Sequence, residues 1–91
     1  MNSIYKIYLT GVGGQGIIRA ATIIGEAAMK KGLKAVMSEL HGMAERGGVV
    51  TTEMKIGSAS SALIQKGNAD LLLALEPVEA LRSLEKVGPN T

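Results

Sequence analysis

The residues whose types and spacing could do chemistry come early in the chain. In "YLTGVGGQGII", residues 8–18, Gly11, Gly13 and Gly16 follow an apolar strand pattern and precede a helical one. In that setting the first glycine permits a tight turn, the second lets backbone approach a ligand, and the third lets the helix pack closely on the strand. The start of such a helix presents N–H groups without intrahelical partners and the positive end of its dipole, so phosphate is the natural guest. Gly14 and Gln15 add a further glycine and an amide to the middle of the loop. A short motif of this kind has three readings: a dinucleotide site, a phosphate site for another ligand, or a strand–helix turn that binds nothing.

Four further residues carry polar chemistry at suggestive places. Glu39 ends the second predicted strand, where an acidic side chain would hold a ribose hydroxyl in an NAD site. His41, the only histidine, opens the glycine-bracketed segment "HGMAERGG". An unperturbed imidazole exchanges its proton near neutral pH, which makes such a residue a candidate base, although a lone loop histidine is more often a hydrogen-bonding structural group. Arg46, beside Gly47 and Gly48, could clamp a phosphate or carboxylate through its planar fork, or pair with Glu45 or a partner chain. Glu76 ends a later predicted strand on the same sheet edge, and its position before Pro77 favours a helix-terminus hydrogen bond. Met37, Met43 and Met54 read as core or interface filler.

These residues need a scaffold, and the hydrophobic pattern supplies one. Residues 4–10, "IYKIYLT", read as a first strand. Ile17, Ala21, Ile24 and Ala28 then form one helical stripe, which should stop at Lys30 and Lys31 with Gly32 in the left-handed cap conformation. Residues 33–40 read as a second strand, completing a right-handed βαβ unit. Residues 49–56 alternate, with Val50, Thr52, Met54 and Ile56 on one face and the polar set on a less buried one. Residues 57–69 look like a connector. "DLLLALE" reads as a strand covered on both faces, followed by a helix from Pro77 whose inner face is marked by Val78, Leu81 and Leu84. A helix at that point of a parallel-sheet pattern normally leads to another strand, so the expectation is an N-terminal half of a longer doubly wound domain.

Composition narrows the function. At 91 residues and 46% apolar, the chain is one globular domain at most. A formal charge of +2 without basic runs, and two tyrosines as the only aromatic residues, argue against nucleic acid. With no cysteine, the chain offers no disulfide, no thiolate nucleophile and no thiolate ligand for an iron–sulfur cluster. No apolar run approaches the roughly 20 residues of a membrane span and the N-terminus lacks a signal-peptide pattern, so a cytoplasmic location without a membrane partner is expected.

Taken together, "GVGGQGI", "SELHGMAERGG" and "ADLLLALEPVEALR" resemble, in order and spacing, the N-terminal half of the γ-type subunit or domain of 2-oxoacid:ferredoxin oxidoreductases. The nearest resemblance is to the smaller, beta-named subunit of indolepyruvate oxidoreductases. It implies an α/β fold with a Rossmann-like doubly wound, mainly parallel sheet that carries no NAD. Residues 1–91 would be an incomplete pyruvate/ketoisovalerate oxidoreductase γ-type domain. The complex would convert a 2-oxoacid and coenzyme A to acyl-CoA with ferredoxin as electron acceptor. Thiamine diphosphate, magnesium and iron–sulfur clusters would belong to partner subunits, and this chain would contribute neither a catalytic residue nor a metal ligand. Gly11, Gly13, Gly14, Gln15 and Gly16 would help to bind coenzyme A phosphate, while Glu39, His41, Arg46, Gly47 and Gly48 would belong to a shared site or interface. Glu45 departs from the family form of the loop, which has glutamine there. The competing readings are an NAD(P)-binding Rossmann oxidoreductase domain and a ligand-free interaction domain.

Overall fold

The computed structural model describes residues 4–12, 15–40 and 49–91, the side chains of Gln15, Leu40 and Val49 excepted. Four strands, β1 (Tyr5–Val12), β2 (Ala35–Leu40), β3 (Val49–Ile56) and β4 (Leu71–Ala74), form one sheet in the order β2-β3-β1-β4. Helix α1 (Gln15–Lys30) follows β1, and a short helix α2 (Pro77–Arg82) follows β4, continuing into a 3₁₀ turn at Leu84–Lys86.

Strand directions modify the sequence expectation. β1 pairs in parallel with β4, but β3 pairs antiparallel with both β1 and β2. The α/β reading holds, whereas the sheet is mixed and not mainly parallel. Because β1 and β2 are each antiparallel to β3, they point the same way. The predicted βαβ unit is therefore split, with β3 inserted between its two strands. Local alternation specifies two faces for residues 49–56 and leaves their direction and neighbours to tertiary packing.

Period-two alternation in the sheet and the 3.6-residue period of α1 build the core together. Ile7 and Leu9 of β1, Val50 and Met54 of β3, and Ile17 and Ala21 of α1 form the buried cluster, with Ile24, Ile56 and Leu73 packed against it. The predicted α1 stripe is thus the buried one. Its end is also as expected: Gly32 takes φ +78, its N–H donates to Met29 O at 3.0 Å, and Leu33 N–H donates to Ala28 O at 2.9 Å. These bonds close two of the last carbonyls of the helix in a Schellman arrangement.

The other face of the sheet is covered as well. Thr51 and Glu53, expected on the wetter face of β3, are buried, because residues 57–70 cross that face and seat Ala62 and Ile64 in it. That segment contains no helix, as its composition implied. At the far end, α2 reverses the predicted orientation. Glu79 and Ser83 are buried, while Val78, Leu81 and Leu84 are exposed. β4 is an edge strand and none of its four residues is fully buried, so "DLLLALE" is not covered on both faces within this chain.

Candidate functional site

The shared direction of β1, β2 and β4 brings their C-terminal ends to one edge of the sheet. The glycine loop starts there at Gly11, Glu39 lies near the end of β2, and Glu76 follows β4. Leu40 and Val49, which flank residues 41–48, stand at this same edge because β3 begins where β2 ends. Open α/β sheets bind ligands outside this edge.

Two of the glycines have protein neighbours that account for them. A Cβ on Gly11 would lie 2.8 Å from Ile17 Cγ1 and 3.4 Å from Leu75 Cβ, and one on Gly16 would lie 3.2 Å from Leu75 Cδ1. Gly11 and Gly16 therefore let α1 and Leu75 close onto β1. Leu75 is held in place by its N–H, which donates to Thr10 O at 2.9 Å. Gly13, for which the sequence expected backbone approach to a ligand, and Gly14 lie outside the described residues, as do His41, Arg46, Gly47 and Gly48. Helix α1 is 16 residues long and has no acidic residue in its first turn, so no carboxylate of its own offsets the positive end of its dipole.

Glu39 is exposed and sits opposite Thr52 in the β2–β3 register. With β3 between, β2 lies two strand spacings from β1, roughly 10 Å. A dinucleotide site of the usual kind has the acidic residue on the strand next to the glycine loop, so this spacing counts against a ribose role. Glu76 does what its position before Pro77 favoured: its carboxylate accepts from Glu79 N–H at 3.0 Å and caps α2.

Sequence reasoning missed a polar knot under the sheet. Glu53 Oε2 accepts from Ile64 N–H at 2.6 Å, and Lys86 Nζ lies 3.9 Å from the same carboxylate oxygen. Lys86 also donates to Ile64 O and stands 5.6 Å from the centre of the Tyr8 ring. One strap residue thus has its N–H and its carbonyl held by opposite charges from two distant elements. The only prior signal was an acidic residue in mid-strand. Nearer the site edge, the Thr10 and Thr51 hydroxyls meet at 3.5 Å, and the Thr52 hydroxyl is buried with no hydrogen-bond partner. Among the described residues no cluster of three His, Cys, Asp or Glu side chains could hold a metal ion, and no helix is long and apolar enough to cross a membrane.

A mixed sheet with helices, whose glycine segment and three strand ends share one edge, is a Rossmann-like α/β arrangement. Comparison with known proteins narrows this. The model of the pyruvate ferredoxin/flavodoxin oxidoreductase family matches residues 6–91, and the chain belongs to that family. It is 60% identical over 87 residues to indolepyruvate oxidoreductase subunit IorB of Methanothermobacter thermautotrophicus, covering 96% of this chain and 44% of that protein. The subunit of the same name from Archaeoglobus fulgidus is 48% identical over 86 residues, covering 94% of this chain and 43% of the relative. The chain spans less than half the length of these curated relatives, in their N-terminal half. Among solved structures, the γ subunit of a keto/oxoacid ferredoxin oxidoreductase from Geobacter sulfurreducens superposes with a TM-score of 0.63 at 37% identity, over 88% of this chain and 45% of that one. Pyruvate oxidoreductase subunit PORC of Thermotoga maritima, at 23% identity and a TM-score of 0.68 over 93% of this chain and 45% of that one, shares the fold.

Proposed function

We propose that this chain is a portion of the subunit that does not bind thiamine in a 2-oxoacid:ferredoxin oxidoreductase of the indolepyruvate or pyruvate type. In the proposed reaction the bond between the 2-oxoacid carbonyl carbon and its carboxylate breaks, and carbon dioxide leaves. The acyl group joins the coenzyme A thiol, and two electrons pass to ferredoxin. Thiamine diphosphate with magnesium, and the iron–sulfur clusters, reside on partner subunits, in keeping with a chain that has no cysteine. The decarboxylation and electron-transfer chemistry is theirs.

This chain's part is binding and assembly. The observation that carries the reading is the convergence of the glycine loop, the start of α1, Glu39 and the flanks of residues 41–48 on one sheet edge, in a chain of this family. The N–H groups at the start of α1, with Gly13, Gly14 and Gln15 ahead of or at its first turn, would receive a phosphate of coenzyme A. Gly11 and Gly16 would hold that turn against Ile17 and Leu75. Glu39, His41, Arg46, Gly47 and Gly48 would form the rim shared with a partner subunit. An NAD(P) role is disfavoured by the extra strand between Glu39 and the glycine loop. A ligand-free interaction role has one observation behind it, the packing use of Gly11 and Gly16.

Gly13→Val tests the proposal in the assembled enzyme, because a branched side chain would stand where backbone must approach the ligand. The expected result is a raised coenzyme A requirement with the 2-oxoacid requirement little changed. An unchanged coenzyme A dependence in a folded complex would assign the loop to packing. Micromolar NADH binding that Glu39→Ala abolishes would instead restore the dehydrogenase reading.

A further inference from the structure

We infer that the outward face of α1 pairs with the same face of a second copy of this chain, as two antiparallel helices related by a two-fold axis beside Thr22 and Ile23. The inference stands apart from the coenzyme A reading, because it rests only on what α1 turns away from its sheet. On that face Ile18, Arg19, Thr22, Ile23, Glu26 and Lys30 are all exposed. Ile23, in the middle of the helix, is 60% exposed. A cleft of about 370 Å³ lies against Ile18, Arg19, Thr22 and Ile23.

Charge complementarity names the occupant. Arg19 and Glu26 are about 10.5 Å apart along the helix, too far to meet each other. Among the described residues neither makes an ion pair, although Lys30 stands one turn beyond Glu26. An antiparallel copy centred between positions 22 and 23 sets Arg19 opposite the partner's Glu26, and Glu26 opposite the partner's Arg19. Both pairs form together from one self-complementary surface, as a two-fold interface requires. Lys30 then falls opposite the partner's Gln15, so no like charges are directly opposed. Near the axis Ile23 of each copy lies beside the other, which covers the most open isoleucine of the face. Thr22 does the same on the other side of the axis. Its hydroxyl already donates to Ile18 O at 2.8 Å, so covering it strands no donor.

The test is made in the assembled enzyme with Thr22→Cys in this chain, which has no cysteine of its own. The two-fold axis brings the two introduced thiols within reach of a short bismaleimide cross-linker, and the expected product has twice the mass of this chain. In that background Arg19→Glu alone, or Glu26→Arg alone, should lower the yield about fivefold or more, because each sets like charges in both contacts. Making the two singly reversed chains together should restore it, since every contact between them again joins opposite signs. Damage to the fold by either substitution would not be cured in this way, and all three positions are exposed, so no packing within this chain is lost. Absence of the double-mass product, a yield indifferent to the reversals, or a mixture that fails to restore it would overturn the inference. So would a product joining this chain to a different subunit, which would make that subunit the occupant of the α1 face.

Discussion

Removing the Glu53 carboxylate would strand two partners at once, the Ile64 N–H and the Lys86 ammonium. Glu53 and Lys86 are both well covered, so the full effect of breaking a buried pair applies. Glu53→Ala should lower stability by about 3–5 kcal/mol. Glu53→Gln keeps an acceptor for the Ile64 N–H and should lose clearly less. Urea unfolding of the two variants measures both, and equal losses would mean that the ion pair, and not the strap hydrogen bond, matters. Thr52 provides the opposite case. Its hydroxyl is buried without a partner, which costs roughly 1–3 kcal/mol, so Thr52→Val should be neutral or stabilising. A clear loss in the urea midpoint would mean that the hydroxyl has a partner, such as a bound water. Neither residue was legible in the sequence. Alternation placed Glu53 with Thr51 and Lys55 on one face of a strand, but which segment covers that face depends on how residues 57–70 return. The Glu76 cap was legible because capping is local.

The elements themselves show the same division. β1, α1 and β3 fall where the periodicities put them, and α1 ends at the cap its lysines and glycine announce. At that cap Gly32 has φ +78 and a Cβ there would meet nothing within 4 Å, so substitution is a pure backbone test. Gly32→Ala should cost about 1–2 kcal/mol, and Gly32→Asn less, since asparagine tolerates this conformation. Equal thermal midpoints for the parent and Gly32→Ala would show that the Schellman bonds are not formed in solution. Sheet order was not legible. The insertion of β3 between β1 and β2 depends on contacts between residues far apart in sequence, and the same alternating pattern would serve a parallel or an antiparallel neighbour. For α2 the spacing of Val78, Leu81 and Leu84 was read as the inner face, and the structure turns these three outward and Glu79 and Ser83 inward, because spacing groups apolar residues without fixing which side of the helix meets the sheet.

At the scale of the molecule, the exposed leucines of the β4 and α2 face dominate behaviour in isolation. Each of Val78, Leu81 and Leu84 forgoes up to about 1.5–3 kcal/mol by staying wet, a sum comparable with the ~5–15 kcal/mol stability of an ordinary domain. The chain made alone should therefore self-associate and show a Tm that rises with concentration. A dilute sample that remains monomeric by light scattering and melts in one concentration-independent transition would count against this. Within the chain, Lys6 and Asp70 fasten the starts of the neighbouring strands β1 and β4: Lys6 N–H donates to the Asp70 carboxylate at 2.8 Å, Asp70 N–H donates to Lys6 O at 2.7 Å, and the side chains pair at 3.2 Å.

Because β1 lies between β3 and β4, the earliest made of these four strands is also the one that depends on later arrivals. On a ribosome adding ~5–20 residues per second, Tyr5–Val12 waits several seconds for Ile56 to emerge and longer for Ala74. Helix α1 can wind in under a microsecond or so, yet it has no finished sheet to lie on during that interval. The apolar stripe of Ile17, Ala21 and Ile24 and the bare backbone of β1 are then exposed together. The order of the strands in the sheet thus sets a window during translation in which this chain is most open to capture by a chaperone or by another nascent copy of itself.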